Sequence, residues 1–153
     1  MGSGWDFRVI VILEHPSLET TQSSAFIFRI SKQGVYLYTE GAIRTFYTVP
    51  VGFLTDGESA PRGAWNLFPP FDPQTLDASV LHDWLYATHE AGSRAAADLM
   101  FSETLAISEC PAWKRTILYE AVHWFGQGSY DSGPERLKRR AAFVHSASQP
   151  CPG

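Results

Sequence analysis

Cysteine is nearly absent from this chain. Cys110 and Cys151 are its two cysteines in 153 residues, too few and too badly placed for a disulfide framework. Long apolar runs are missing as well. The longest uninterrupted one, Val9-Ile10-Val11-Ile12-Leu13, falls far short of the ~18–20 residues of a membrane span. Met1-Gly2-Ser3-Gly4 lacks the basic region that opens a secretory signal. These absences lead to the expectation of a chain made in the cytosol, with no signal peptide and no transmembrane segment.

Positive charge is scarce over most of the length. All sixteen Asp and Glu lie at or before Glu135, together with eight of the twelve Lys and Arg. The other four, Arg136, Lys138, Arg139 and Arg140, follow in one short cluster that reads as a solvated helix end or tail. An acidic body does not suit a nucleic-acid reader, which needs a basic face. What the chain does have is apolar and aromatic content, 44% and 14%, enough for a packed core rather than a disordered polymer. Its length fits one domain. The expected boundaries are 1–145 for that domain and 146–153 for a disordered tail.

The first fifty residues read as strands. Phe7 to Leu13 is an apolar run closed by Pro16, and Ser24 to Ile30 alternates in β-forming residues. Gln33-Gly34 and Glu40-Gly41 are turn signals leading into Val35–Tyr38 and Ile43–Val49, as in antiparallel hairpins. Pro50 ends the last strand. From Thr55 to Pro73 the composition is that of a loop, yet Trp65, Leu67, Phe68 and Phe71 are too apolar for a free linker. A long packed loop is usually functional.

Helices follow. Asp77 is a candidate N-cap for a helix from Ala78 through Tyr86, and Ser93 for one from Arg94 to Ile107. Pro111 and Gly126 bracket a third, with Trp113, Ile117, Ala121 and Trp124 as an apolar stripe widened by Leu118 and Phe125. The fold class expected is α+β: an antiparallel meander of three to five strands between Phe7 and Val49, covered by three C-terminal helices. The loop after Thr55 should pack at their junction, over His82.

The sharpest chemical signal is His82-Asp83 followed by Tyr86. On a helix His82 and Tyr86 share a face, while Asp83 points about 100° away. Asp83 therefore cannot orient the neighbouring imidazole. A histidine base needs a carboxylate on its far nitrogen, and the candidate is Asp98, on an apolar stripe three residues before Phe101 and seven before Leu105. A helical hairpin centred at Glu90 sets position 82 level with 98; one centred at Gly92 sets Tyr86 there instead. The second signal is Thr55-Asp56-Gly57-Glu58-Ser59-Ala60-Pro61-Arg62, whose carboxylates, hydroxyls and carbonyls suit a hard cation or an unoccupied Asx turn. Arg62 offers a fixed fork of donors for Asp56 or Asp83.

Val49-Pro50-Val51-Gly52-Phe53, Thr55-Asp56 with Ser59, Pro61 and Arg62, then Trp65 and Pro69-Pro70, resemble a bacteriophage and prophage family known as domain of unknown function 1353. His82-Asp83-Trp84-Leu85-Tyr86, Ser93-Arg94, Ala97-Asp98, Phe101, Trp113, Tyr119, Ala121-Val122 and Phe125-Gly126 agree with it. The resemblance covers roughly Phe26 to Gly126. Glu58 departs from it, where a small residue is usual, and His123 stands where a basic residue is expected. It implies a phage origin, hence a place in the host cytoplasm or the virion, and little chemistry.

His-Asp-x-x-Tyr on one helix and Ala-Asp-x-x-Phe on the next are also similar to the active-site helices of secreted phospholipases A2. That analogy makes His82 the general base, Asp83 the calcium-ligating carboxylate, and Asp98 and Tyr86 the partners of the imidazole. The glycine-rich calcium loop and the helix-linking disulfides of those enzymes are missing here, and the helix connection is short.

The expectation is then a metal-assisted hydrolase of an ester or amide in the host envelope. Its candidate catalytic residues are His82, Asp98 and Tyr86, and its metal ligands Asp83 and Asp56. Arg62, Ser59 and Trp65 would bind substrate or anchor the loop. An oxygen-rich donor set favours calcium over zinc. The alternative is a virion, assembly or host-takeover protein that binds a phage or host protein, with the same cluster serving as a structural network.

Overall fold

A computed structural model of the chain describes residues 7–21, 28–55 and 72–147. The expectations for Asp56, Ser59, Arg62, Trp65 and the remainder of the loop, and for the tail from residue 148 onward, lie outside the described residues.

The class is α+β. Six strands come first: β1 (Arg8–Glu14), β2 (Ser17–Thr20), β3 (Phe28–Lys32), β4 (Gly34–Glu40), β5 (Ile43–Val49) and β6 (Leu54–Thr55). Four helices follow: α1 (Leu76–Thr88), α2 (Arg94–Ile107), α3 (Ala112–Phe125) and α4 (Gln127–Ala147). The strands form two antiparallel three-stranded sheets, ordered β1-β4-β5 and β2-β3-β6.

The single meander expected from the sequence is thus divided in two. Only Gln33 separates β3 from β4, and one residue is too short to reverse a chain into a hairpin. The chain passes there from one sheet to the other. Glu40-Gly41 does close a hairpin: Glu40 pairs with Ile43 across a two-residue turn, and Gly41 takes the left-handed φ of 58° that the turn requires.

Strand alternation decides which side chains face the helices. Register places Ile10, Tyr38 and Thr45 in one cross-strand row, and Ile12, Tyr36 and Tyr47 in the next. Tyr36, Tyr38, Tyr47, Ile10 and Val49 are buried there with Val80, Leu81 and Leu85 of α1 and Met100 of α2. A second cluster joins Ala78 to Phe101, Leu105, Cys110, Leu118 and Val122. Removal of this apolar area from water stabilises the fold at roughly 25 cal/mol per Å2. Four core tyrosines, Tyr36, Tyr38, Tyr47 and Tyr86, bring hydroxyls with them, and that of Tyr36 donates to the Asp77 carbonyl, 3.1 Å away.

The helix starts repay attention. Ser93 caps α2, accepting from the Ala96 amide at 3.1 Å, as its side chain suggests. Asp77 does not cap α1. Asp72 already gathers the amides of Gln74, Thr75 and Leu76, so the N-cap moves to Thr75. The buried Asp77 carboxylate instead accepts from His15 Nδ1 at 2.9 Å.

Two expectations need correction. The apolar stripe of α3 does not mark its buried face: Trp113, Ile117, Trp124 and Phe125 are exposed, and Lys114, Leu118 and Val122 face inward. And the helices are four, not three: Gly126 ends α3 as expected, but the chain does not leave helical structure there. Gly126 has right-handed φ, and α4 begins at the next residue.

Two glycines explain how α4 reaches α1. A Cβ at Gly126 would lie 2.4 Å from the Tyr86 hydroxyl, and one at Gly133 would lie 1.9 Å from the Tyr86 carbonyl oxygen. Only a residue without a side chain fits at either place. Pro134, inside the helix, has no N–H to give the Tyr130 carbonyl four residues earlier. That carbonyl is 2.7 Å from His89 Nε2, and the two rings stack at 3.9 Å. Thus α4 is fastened to the end of α1 rather than trailing from the domain.

Candidate functional site

Sheet, α2 and α4 surround α1, which therefore buries residues on every side: nine of its thirteen, including Asp77, His82 and Asp83. Polar groups in such a place need partners, because an unpaired one costs kilocalories. Their partners define the site.

His82 is fully buried. Its ring lies against Tyr86, centroids 4.0 Å apart, and against Phe101, 4.8 Å apart. Its Nε2 is 2.8 Å from Oδ1 of Asp98. The Tyr86 hydroxyl donates to the same oxygen at 2.6 Å. Both helix registers left open by the sequence are satisfied at once, since one carboxylate oxygen receives both groups. A carboxylate only accepts, so Nε2 is the donor, and in the neutral imidazole the lone pair is on Nδ1. That Nδ1 is buried and, among the described residues, has no hydrogen-bond partner.

Asp98 is held from its other side. Arg94, one turn earlier on α2, places Nη1 3.4 Å from Oδ2. The same guanidinium donates to the carbonyls of Val122 and His123 at 3.3 and 2.8 Å, in the last turn of α3 where backbone acceptors lack helical donors. Arg94 thereby ties Asp98 to the end of α3. The sequence reading passed it over, although its i, i+4 spacing from Asp98 was visible.

Burial, first, and then the hydrogen bond to Asp98 push the Tyr86 phenol far above its ordinary range, with Arg94 opposing. Tyr86 is consequently a donor that steadies Asp98, not a proton-transfer group near neutrality.

Asp83 faces elsewhere, as its position on the helix requires. It is buried, and the Thr55 hydroxyl at the end of β6 donates to its Oδ2. Thr55 and His82-Asp83 are therefore spatial neighbours. Among the described residues no three His, Cys, Asp or Glu side chains converge as a metal-binding group. Asp56, the other ligand expected from the sequence, lies outside the described residues.

The geometry joins three of the residues singled out from the sequence, His82, Asp98 and Tyr86, and sets Asp83 beside Thr55. A family model described as "Protein of unknown function (DUF1353)" matches residues 28–122, which include all of these. The chain belongs to this family. No curated protein and no solved structure matches it. In this member of the DUF1353 family the matched span runs from β3 into the last turn of α3, ending at Val122, whose carbonyl Arg94 holds. It leaves out α4. Among the described residues no helix is long and apolar enough to cross a membrane.

Proposed function

We propose that this protein is a phage-encoded hydrolase of an ester or amide in the host envelope, with His82 as general base. One observation carries the reading. The imidazole is bound at Nε2 by a fixed carboxylate, while Nδ1, the other ring nitrogen, is buried with no hydrogen-bond partner among the described residues. A histidine serving only as a strut would have both nitrogens satisfied. In the reaction, Nδ1 takes a proton from water as the water adds to the carbonyl carbon, Asp98 stabilises the imidazolium that results, and the imidazolium returns the proton to the departing alcohol or amine as the ester C–O or amide C–N bond breaks, leaving the carboxylic acid. Tyr86 and Arg94 hold Asp98 so that it need not reorient as charge develops. A divalent cation held by Asp83 and Asp56, with calcium preferred for an all-oxygen donor set, would polarise the substrate carbonyl.

The test is turnover of p-nitrophenyl butyrate and of phosphatidylglycerol vesicles, with and without calcium, by wild type and His82→Asn. The proposal expects a folded variant slower by about 10²-fold or more. Turnover undiminished in His82→Asn, or absent from wild type on both substrates, would overturn it.

A second reading has its own support. Asp98 receives three donors that belong to α1 and α2, one of which also grips α3. That is what a structural lock would look like in a virion, assembly or host-takeover protein that acts by binding. If so, His82→Asn and Asp98→Asn lose function only in proportion to lost native protein. Melting temperature measured beside function separates the two readings.

A further inference from the structure

The β1-β4-β5 sheet has two apolar faces, and the helices cover one of them. Val9-Ile10-Val11-Ile12-Leu13 is apolar at every position, the pattern of a strand enclosed on both sides. Ile10, Tyr36, Tyr38, Tyr47 and Val49 turn inward to α1 and α2. The residues that alternate with them turn outward. Phe7, Val9, Val11, Leu13 and Phe46 are 68, 37, 43, 49 and 62% exposed.

Register makes these residues one patch. Val11, Leu37 and Phe46 form its central row. Val9, Thr39 and Arg44 form the row on one side. Glu14, Val35 and Thr48 form the row on the other, with Leu13 in the bulge beside Glu14. The five exposed apolar side chains present about 500 Å2, near the top of the ~300–600 Å2 shown by the largest patch of a typical monomer. With its polar corners the face would bury about 700 Å2, close to the ~800 Å2 that each partner contributes to a standard interface.

The charges of the face are complementary to themselves. Arg44 stands at one corner and Glu14 at the corner diagonally opposite. In a symmetric dimer the same patch meets itself. Aligned sheets would set Arg44 over Val9 or Thr48 of the second copy. Sheets crossed at about a right angle, with the twofold axis along the diagonal from Val9 to Thr48, set Arg44 of each copy against Glu14 of the other. An anionic lipid surface would call for a basic rim, whereas this face carries one Arg balanced by one Glu among the described residues.

We infer that a second copy of this chain covers the face, in a twofold dimer whose β1-β4-β5 sheets cross around Leu37. The full chain is taken through sedimentation equilibrium and, separately, mixed with vesicles of phosphatidylglycerol. The inference expects a dimer with a Kd of about 10 μM or tighter, and a melting temperature that rises with protein concentration. Phe46→Lys, at an exposed position, should weaken the dimer about hundredfold or more and leave the circular dichroism of the chain unchanged. Val11→Lys, in the same row, makes the same test if that variant does not fold. Trp124→Ser, exposed on α3 instead, should dimerise as wild type does. Arg44→Glu and Glu14→Arg should each weaken the dimer about tenfold, and the two together should restore it to within about threefold. A monomer at about 100 μM would overturn the inference, and one that binds the vesicles would assign the face to lipid instead. A dimer left intact by Phe46→Lys and Val11→Lys, or one that the charge exchange does not restore, would overturn it as well.

Discussion

Helices α1 and α3 are nearly equal in length and opposite in burial. Nine residues of α1 are buried, against three of α3. Yet α3 carries the more conspicuous apolar stripe, and Trp113, Ile117 and Trp124 on it face water. Helix α1 carries a histidine and two aspartates into the interior. What the contrast teaches is that buried polar groups, not apolar periodicity, mark where this molecule is most tightly specified. An exposed Leu or Trp needs no explanation in a folded protein, whereas a buried Asp does.

The largest expected effect tests the α1 half of that contrast. Asp98→Ala leaves His82 and Tyr86 facing an empty site and releases Arg94 from one of its acceptors. Removing one member of a buried charge pair typically costs about 3–5 kcal/mol. Urea denaturation should show a loss of that size, and a loss below about 1 kcal/mol would mean that the cluster is not what organises the helices.

Next comes the seam between α1 and α4. Gly133→Ala places a methyl where the Tyr86 carbonyl oxygen already is, and overpacking of this kind costs about 1–3 kcal/mol, occasionally more. Gly128 is a matched control on the same helix, with nothing within 4 Å of an added Cβ. There alanine should be neutral or stabilising by up to about 1 kcal/mol, through helix propensity alone. Thermal melts of the two variants should move in opposite directions or differ by several degrees.

The smallest effect sharpens the α3 half. Trp124 is 71% exposed, and Trp124→Ser should change stability by no more than about 0.5 kcal/mol. Leu118→Ala, on the inward face of the same helix, should cost about 2–4 kcal/mol. If the tryptophan proves the more costly of the two, the burial assigned to α3 is reversed.

These contrasts also show which features were legible beforehand. The positions of β1, β4 and β5 and the cap at Ser93 follow from local rules of spacing and side-chain chemistry, whereas Asp98 was legible as the partner of His82 or Tyr86 from helical-hairpin spacing without a choice between them, and β2 and β6 were not foreseen. The division into two sheets depends on how far Gln33 alone can turn the chain, and the inward face of α3 depends on where α2 lies. Both are tertiary facts. The role of Gly126 and Gly133 was hidden because a glycine reads as a stop signal until the neighbouring backbone is known. Pro134 likewise reads as the end of a helix until His89 supplies the missing donor.

That last arrangement couples two distant positions. While residue 134 is proline, the Tyr130 carbonyl depends on His89; with any other residue there, the backbone can serve it and His89 becomes dispensable. A change at 134 therefore lowers the cost of a later change at 89, and a change at 89 made first is the more damaging one. The order in which a lineage could substitute these two residues is constrained by a hydrogen atom that proline does not have.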